Sequence, residues 1–120
     1  KLTLEINQTL NYHNMFYIIT TTTDSNNIVS KISKIILDFN YSPCIQIQPN
    51  ITSKYIWKNE IKESKEYKIN IKTTSNYINK ITKIIMENHN YEIPEIIKYK
   101  FDINTDDYKE WFLSNIKHKE

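Results

Sequence analysis

The chain is expected to fold as an α+β domain, with β-α-β-β-α-β elements forming one antiparallel sheet and a further helix closing the chain. Three observations predict this. Strand-like runs of alternating apolar and polar residues recur along the sequence, and apolar stripes at spacings of three and four residues separate them. Two of the strand runs meet at a single tight turn with no helix between them. The length of 120 residues suits one domain, placed at residues 15–120 after a polar tail or extension over residues 1–14.

The elements follow in order. Met15–Thr21 is short, apolar and β-branched, and reads as the first strand. Asp24 or Ser25 can cap the helix behind it, whose stripe is Ile28, Ile32, Ile35, Ile36 and Phe39. Pro43 bars a continuing helix, and Ile45 and Ile47 then share one strand face up to Pro49, which marks a break. A long hairpin is expected over about residues 51 to 73, turning at Asn59. On its first arm Ile51, Ser53, Tyr55 and Trp57 share one parity.

Ser75 can cap a second helix with the stripe Ile78, Ile81, Ile84 and Ile85. A fourth strand reads Ile93, Glu95, Ile97, Tyr99 and Phe101 on one parity. Asp106 and Asp107 then suit the positive end of a third helix dipole. This order is the ferredoxin-like split βαβ pattern, with helices on one sheet face. Several strands carry large apolar groups on both parities, Ile56 beside Trp57 and Ile96 beside Ile97. The third helix is too small to cover the second face, so self-association through sheet faces and hairpin edges is expected.

Composition narrows the function classes. Sixteen lysines stand against fourteen acidic residues, arginine is absent and the net charge is +2. Nucleic acid is therefore not an expected partner, since bidentate phosphate and base reading favours arginine. No apolar run approaches the roughly 18 residues of a membrane span. Cys44 is the single cysteine, which excludes an intrachain disulfide. The chain holds 23 isoleucines, 15 asparagines and no glycine, a compositional bias that leaves left-handed turn positions to Asn and Asp. The polar start without an initiator methionine leaves the compartment open, cytoplasmic by default with organellar targeting as the alternative.

Five segments carry a family resemblance: "TTTDSNN", "SPCIQIQPNITSKYIWKNEI", "EYKINIKTTSNY", "HNYEIPEI" and "DYKEWF". In order and spacing, from about Phe16 to Phe112, the chain resembles CutA, the divalent-ion tolerance proteins. The tryptophan hairpin followed by the His-x-Tyr-Glu-Ile-Pro-Glu-Ile block is the specific part. The resemblance implies a ferredoxin-like subunit, a tight homotrimer, and copper or other divalent-metal binding in some members. It also implies an association with metal tolerance, and it brings no enzymatic reaction and no organic cofactor. The chain departs from the family at Asn90, where His-Pro-Tyr-Glu is usual, and at Asn59, where the hairpin turn usually has glycine. Thr20 stands where some bacterial members have cysteine, and Asn88 where a second histidine can occur. These last two changes thin the soft-metal ligand set and leave the trimer expectation intact.

The candidate metal ligands are His89, Cys44 and Glu92. His89 lies between a helix end and a strand, and reads either as a metal ligand or as an imidazole bonded to a backbone carbonyl. Cys44 reads either as a soft ligand or as a small buried hydrophobe. Glu92 and Glu95 lie three apart and would face opposite sides of a strand, unless Pro94 bends the chain between them. Trp57, Tyr91, Glu95 and Trp111 are the candidate pocket or interface residues. No zinc-finger spacing, phosphate loop or HExxH motif occurs. Two readings follow, a trimeric divalent-metal protein and a trimeric regulatory scaffold whose intersubunit clefts take a small molecule or a protein partner.

Overall fold

The computed structural model describes residues 15–118. The expected tail over residues 1–14 lies outside the described residues. The elements are β1 (Phe16–Thr23), α1 (Asn26–Asp38), β2 (Cys44–Trp57), β3 (Glu60–Thr74), a 3-10 turn (Ser75–Tyr77), α2 (Ile78–Asn88), β4 (Ile96–Phe101) and α3 (Asp106–Ser114). The four strands form one antiparallel sheet in the order β2-β3-β1-β4. This is the β-α-β-β-α-β arrangement of the ferredoxin-like fold.

Local chemistry explains where α1 begins and ends. The Ser25 hydroxyl accepts the Ile28 N–H at 3.3 Å. At the other end Asn40 takes φ 58°, the Tyr41 N–H reaches Ile36 O, and the Asn40 N–H reaches Leu37 O. That is a Schellman closure with asparagine in the place glycine usually holds. The buried stripe is Val29, Ile32 and Ile36, with Ile28 packed beside it. Phe39 is not part of this stripe, contrary to expectation. It falls at the C-cap, where the helical phase ends, and its exposed ring stacks on Tyr41 at 5.3 Å.

The helices α1 and α2 cover the sheet face that carries Ile19, Ile69 and Ile71, with Ile81 and Ile85 among their own core residues. Ser75 is not the cap residue of α2. A 3-10 turn intervenes, and the Ser75 hydroxyl accepts the Met15 N–H. The opposite face is covered at one end by α3. There Phe112 meets Phe16 edge-on at 5.3 Å, and Phe101 lies against both rings. Ile97 and Tyr99 remain about half exposed beyond the reach of α3.

The hairpin is longer than the expected residues 51 to 73. It runs from Cys44 to Thr74, and the pairs from Ile51↔Glu66 to Trp57↔Glu60 project past the end of β1, whose last pair is Thr23↔Tyr67. Lys58 and Asn59 form its turn at φ 50° and 66°, the paired left-handed geometry of a type I′ turn. The register shifts between Gln48 and Ile51, where β2 advances three residues while β3 advances two. The extra residue is a β-bulge at Pro49–Asn50, with Asn50 at φ 59°. The bulge reverses parity, so Ile51, Ser53, Tyr55 and Trp57 share the face of Gln48, Glu66 and Lys68.

Among the described residues no helix is long and apolar enough to cross a membrane.

Candidate functional site

A cleft of about 710 Å³ lies where the projecting hairpin arm meets the 90–95 segment. The bulge directs Tyr55 and Trp57 into its wall, and Thr22 and Asp24 border it from the end of β1. The remaining lining includes Glu66, Asn90, Tyr91, Glu92 and Glu95. Its volume falls within the range of small-molecule sites.

The expected fourth strand from Ile93 is corrected here. Strand β4 begins at Ile96, and residues 89–95 form an irregular segment, with bends at 90–93, that is hydrogen-bonded to the end of β1. Pro94 has no N–H to give a ladder, and hydrogen bonds tie the segment to β1 instead. Glu92 and Glu95 are therefore not on opposite faces of a strand. Both line the one cleft, with Asp24 and Glu66 as further carboxylates.

Three side chains anchor the segment. The His89 Nε2 lies 2.8 Å from Thr22 O, and the Tyr91 N–H donates to His89 Nδ1 at 3.0 Å. A carbonyl can only accept and an amide N–H can only donate, so the proton resides on Nε2. Burial holds the His89 pKa below its ordinary value of 6.5, against the smaller opposing pull of the Thr22 carbonyl and of Asp24 and Glu66. Asn90 accepts from the Thr23 hydroxyl at 2.6 Å and donates to Asp24 Oδ1 at 2.8 Å. The Tyr91 hydroxyl donates to Glu66 Oε2 at 2.6 Å, and Glu66 is only 7% exposed. Burial raises the Tyr91 hydroxyl pKa well above its usual value, and the Glu66 hydrogen bond and charge add to the shift.

The sequence-selected residues separate into two groups. His89, Tyr91, Glu92, Glu95 and Trp57 meet at or beside the cleft. Cys44 and Trp111 do not line it. Cys44 pairs with Lys72, which pairs with Ile18, four residues along β1 from Thr22. Cys44 thus lies about 13 Å along the strands and two spacings of about 4.8 Å across them from the Thr22 position that holds His89. Trp111 is on α3 against Tyr108, at 5.5 Å between ring centroids. Thr20 lies on the open sheet face, donating to Asn70 Oδ1, while Asn70 donates on to Gln48. Asn88 bonds back to Ile84 O within its helix. Among the described residues no group of three or more His, Cys, Asp or Glu side chains is placed to hold a metal ion.

Glu66, Asp24 and Thr22 were not selected from sequence. Glu66 is one glutamate among several in a lysine-rich strand, and only the register reveals its burial. Tyr55 was legible in part, through the parity it shares with Trp57.

A model of the CutA1 divalent ion tolerance protein family matches residues 17–115. The chain is 28% identical over 94 residues to the "Divalent-cation tolerance protein CutA" of Thermus thermophilus, covering 78% of this chain and 91% of that protein. It is 27% identical over 88 residues to the "Protein CutA, chloroplastic" of Arabidopsis thaliana, and the match spans 48% of that longer protein. Among solved structures, divalent ion tolerance protein CutA1 from Ehrlichia chaffeensis superposes with a TM-score of 0.77 at 31% identity, over 84% of this chain and 94% of the other. CutA1 from Oryza sativa shares the fold with a TM-score of 0.82 at 21% identity, over 89% and 98% of the two chains. With the family match running from β1 through α3 and the topology shared throughout, the chain belongs to the CutA1 divalent ion tolerance family.

Proposed function

We propose that this chain acts as a homotrimer in divalent-cation tolerance, responding to copper(II) or another divalent cation. The family match over residues 17–115 carries the reading. The family is non-catalytic, and the chain is not an enzyme. Trimer formation is supported by apolar surface that one chain leaves uncovered: Ile56 is 75% exposed and its cross-strand partner Ile61 is 83% exposed. Ile97 and Tyr99 add to it on the open sheet face.

Within one chain the side chains do not fit a copper shell. Cys44 is remote from the cleft, and both His89 nitrogens already have partners. Glu92, Glu95 and Asp24 are oxygen donors lining the cleft that do not converge into a metal shell within the described residues of one chain, and oxygen donors suit hard cations better than soft ones.

A second reading is favoured by the cleft itself. Its size and its wall of Tyr55, Trp57 and Tyr91 beside carboxylates suit a small-molecule ligand, which makes the trimer a regulatory scaffold. Native mass spectrometry during copper(II) and zinc(II) titrations separates the two. A trimer that takes up metal, with less uptake in Glu92→Gln, supports the cation reading. A trimer that stays metal-free favours the scaffold, and a monomer overturns the assembly common to both.

A further inference from the structure

We infer that His89 and Asn90 form a clamp that fixes the 89–95 segment on the end of β1 and positions Tyr91 against Glu66, with the His89 ring engaged in this role instead of in metal binding. Three consecutive residues are held by two. His89 Nε2 bonds to Thr22 O, Asn90 Oδ1 accepts from Thr23 Oγ1, and Asn90 Nδ2 donates to Asp24 Oδ1. Their sequence separations are 66 or 67 residues, so the clamp is wholly tertiary.

The direction of every bond is determined by its partner. The Ser25 N–H donates to Thr23 Oγ1, and the Thr23 hydroxyl proton goes on to Asn90 Oδ1. That orients the carboxamide with its NH₂ toward the Asp24 carboxylate, the only sense in which both bonds form. Such a chain of aligned donors strengthens its members. On the His89 side, Nδ1 accepts the Tyr91 N–H and so fixes the Tyr91 backbone. The Tyr91 ring lies 4.9 Å from the His89 ring, and its hydroxyl then reaches Glu66 on β3.

The clamp therefore joins β1, the 89–95 segment and the hairpin arm, and it sets the inner wall of the cleft. A metal ion on either His89 nitrogen would have to displace one of these bonds. Asn90 is a positioning residue for Tyr91, and Thr23 is its counterpart on β1.

The test uses nitrogen-15 NMR on the full chain, with zinc(II) as a diamagnetic probe. The clamp requires a neutral His89 with its proton on Nε2, and ring signals that do not move as zinc is added. Zinc bound elsewhere with His89 unmoved also supports it. Asn90→Ala and, from the other side, Thr23→Val should each speed hydrogen exchange at the Tyr91 N–H by about tenfold while the Ile19 and Ile71 amides stay protected. Movement of the His89 ring signals with zinc would overturn the inference. So would parent-like exchange at Tyr91 in both variants.

Discussion

The Tyr91 hydroxyl donates a 2.6 Å hydrogen bond to the buried Glu66 carboxylate, joining the segment after α2 to the base of the hairpin arm. Removing the donor leaves Glu66 buried without it. Tyr91→Phe is expected to lower stability by about 2 kcal/mol, the scale of a hydrogen bond to a charged group. Glu66→Gln retains an acceptor and should cost less. Denaturant unfolding of the two variants beside the parent measures both.

The same tyrosine predicts alkaline behaviour. Its folded pKa is raised above the ordinary 10.0, so the folded state holds its proton longer than the unfolded chain does. This contribution is fully present below pH 10 and is lost as pH rises through the folded value. A tyrosinate absorbance titration of the folded protein should show a late-titrating phenol that Tyr91→Phe removes.

His89 predicts the acidic limb. Its folded pKa lies below 6.5, so the unfolded chain binds the proton more readily. The contribution is present above pH 6.5 and is lost as pH falls through the lowered folded value. Protonation also places a hydrogen on Nδ1, facing the Tyr91 N–H that it must accept. Melting temperature should fall as pH drops below 6.5, and His89→Gln, which does not titrate there, should flatten that fall.

The hairpin turn offers a stabilising change. Lys58 is held at φ 50°, a left-handed conformation that a lysine adopts at a steric cost asparagine or glycine bears more easily. Replacing Lys58–Asn59 by Asn–Gly should stabilise the protein by about 1 kcal/mol, the scale of a left-handed penalty relieved. Asn59→Val should do the reverse. Thermal unfolding of the two variants gives the comparison.

At the opposite end of the molecule, Phe112 is completely buried between α3 and the sheet. Phe112→Ala is expected to cost about 3–5 kcal/mol, since the rings of Phe16 and Phe101 cannot close the space. Equilibrium unfolding measures the loss, and the near-ultraviolet dichroism of the aromatic cluster should weaken with it.

Element order and the site differ in how far the residues alone reveal them. Ile32, Ile36, Ile81 and Ile85 sit at helical spacing and are all fully buried. The chain has no glycine, and among the described residues three of the four left-handed positions are asparagine, at 40, 50 and 59. The fourth is Lys58, which no local signal marks. The helical spacing of the stripe carries on to Phe39, but the helix ends at Asp38 and Phe39 is its C-cap, directly before Asn40 turns the chain away. The start of β4 was misplaced because period-two alternation from Ile93 imitates a strand, whereas the segment's bonds go to β1.

By itself the sequence determined the succession of strands and helices, the turn at Asn59, the family, and the His89–Glu95 segment as the place to look. These are properties of neighbours in the chain, set by side-chain period and turn chemistry. Tertiary structure decided that Cys44 lies far from His89, that Glu92 and Glu95 share one cleft, and that Glu66 is the buried partner of Tyr91. Strand register and the one-residue bulge at Pro49–Asn50 set which distant residues face each other. A shift of one residue would turn every side chain of the arm to the other face, and residues 22–24 meet 89–90 through hydrogen bonds that join the end of β1 to the residues just after α2.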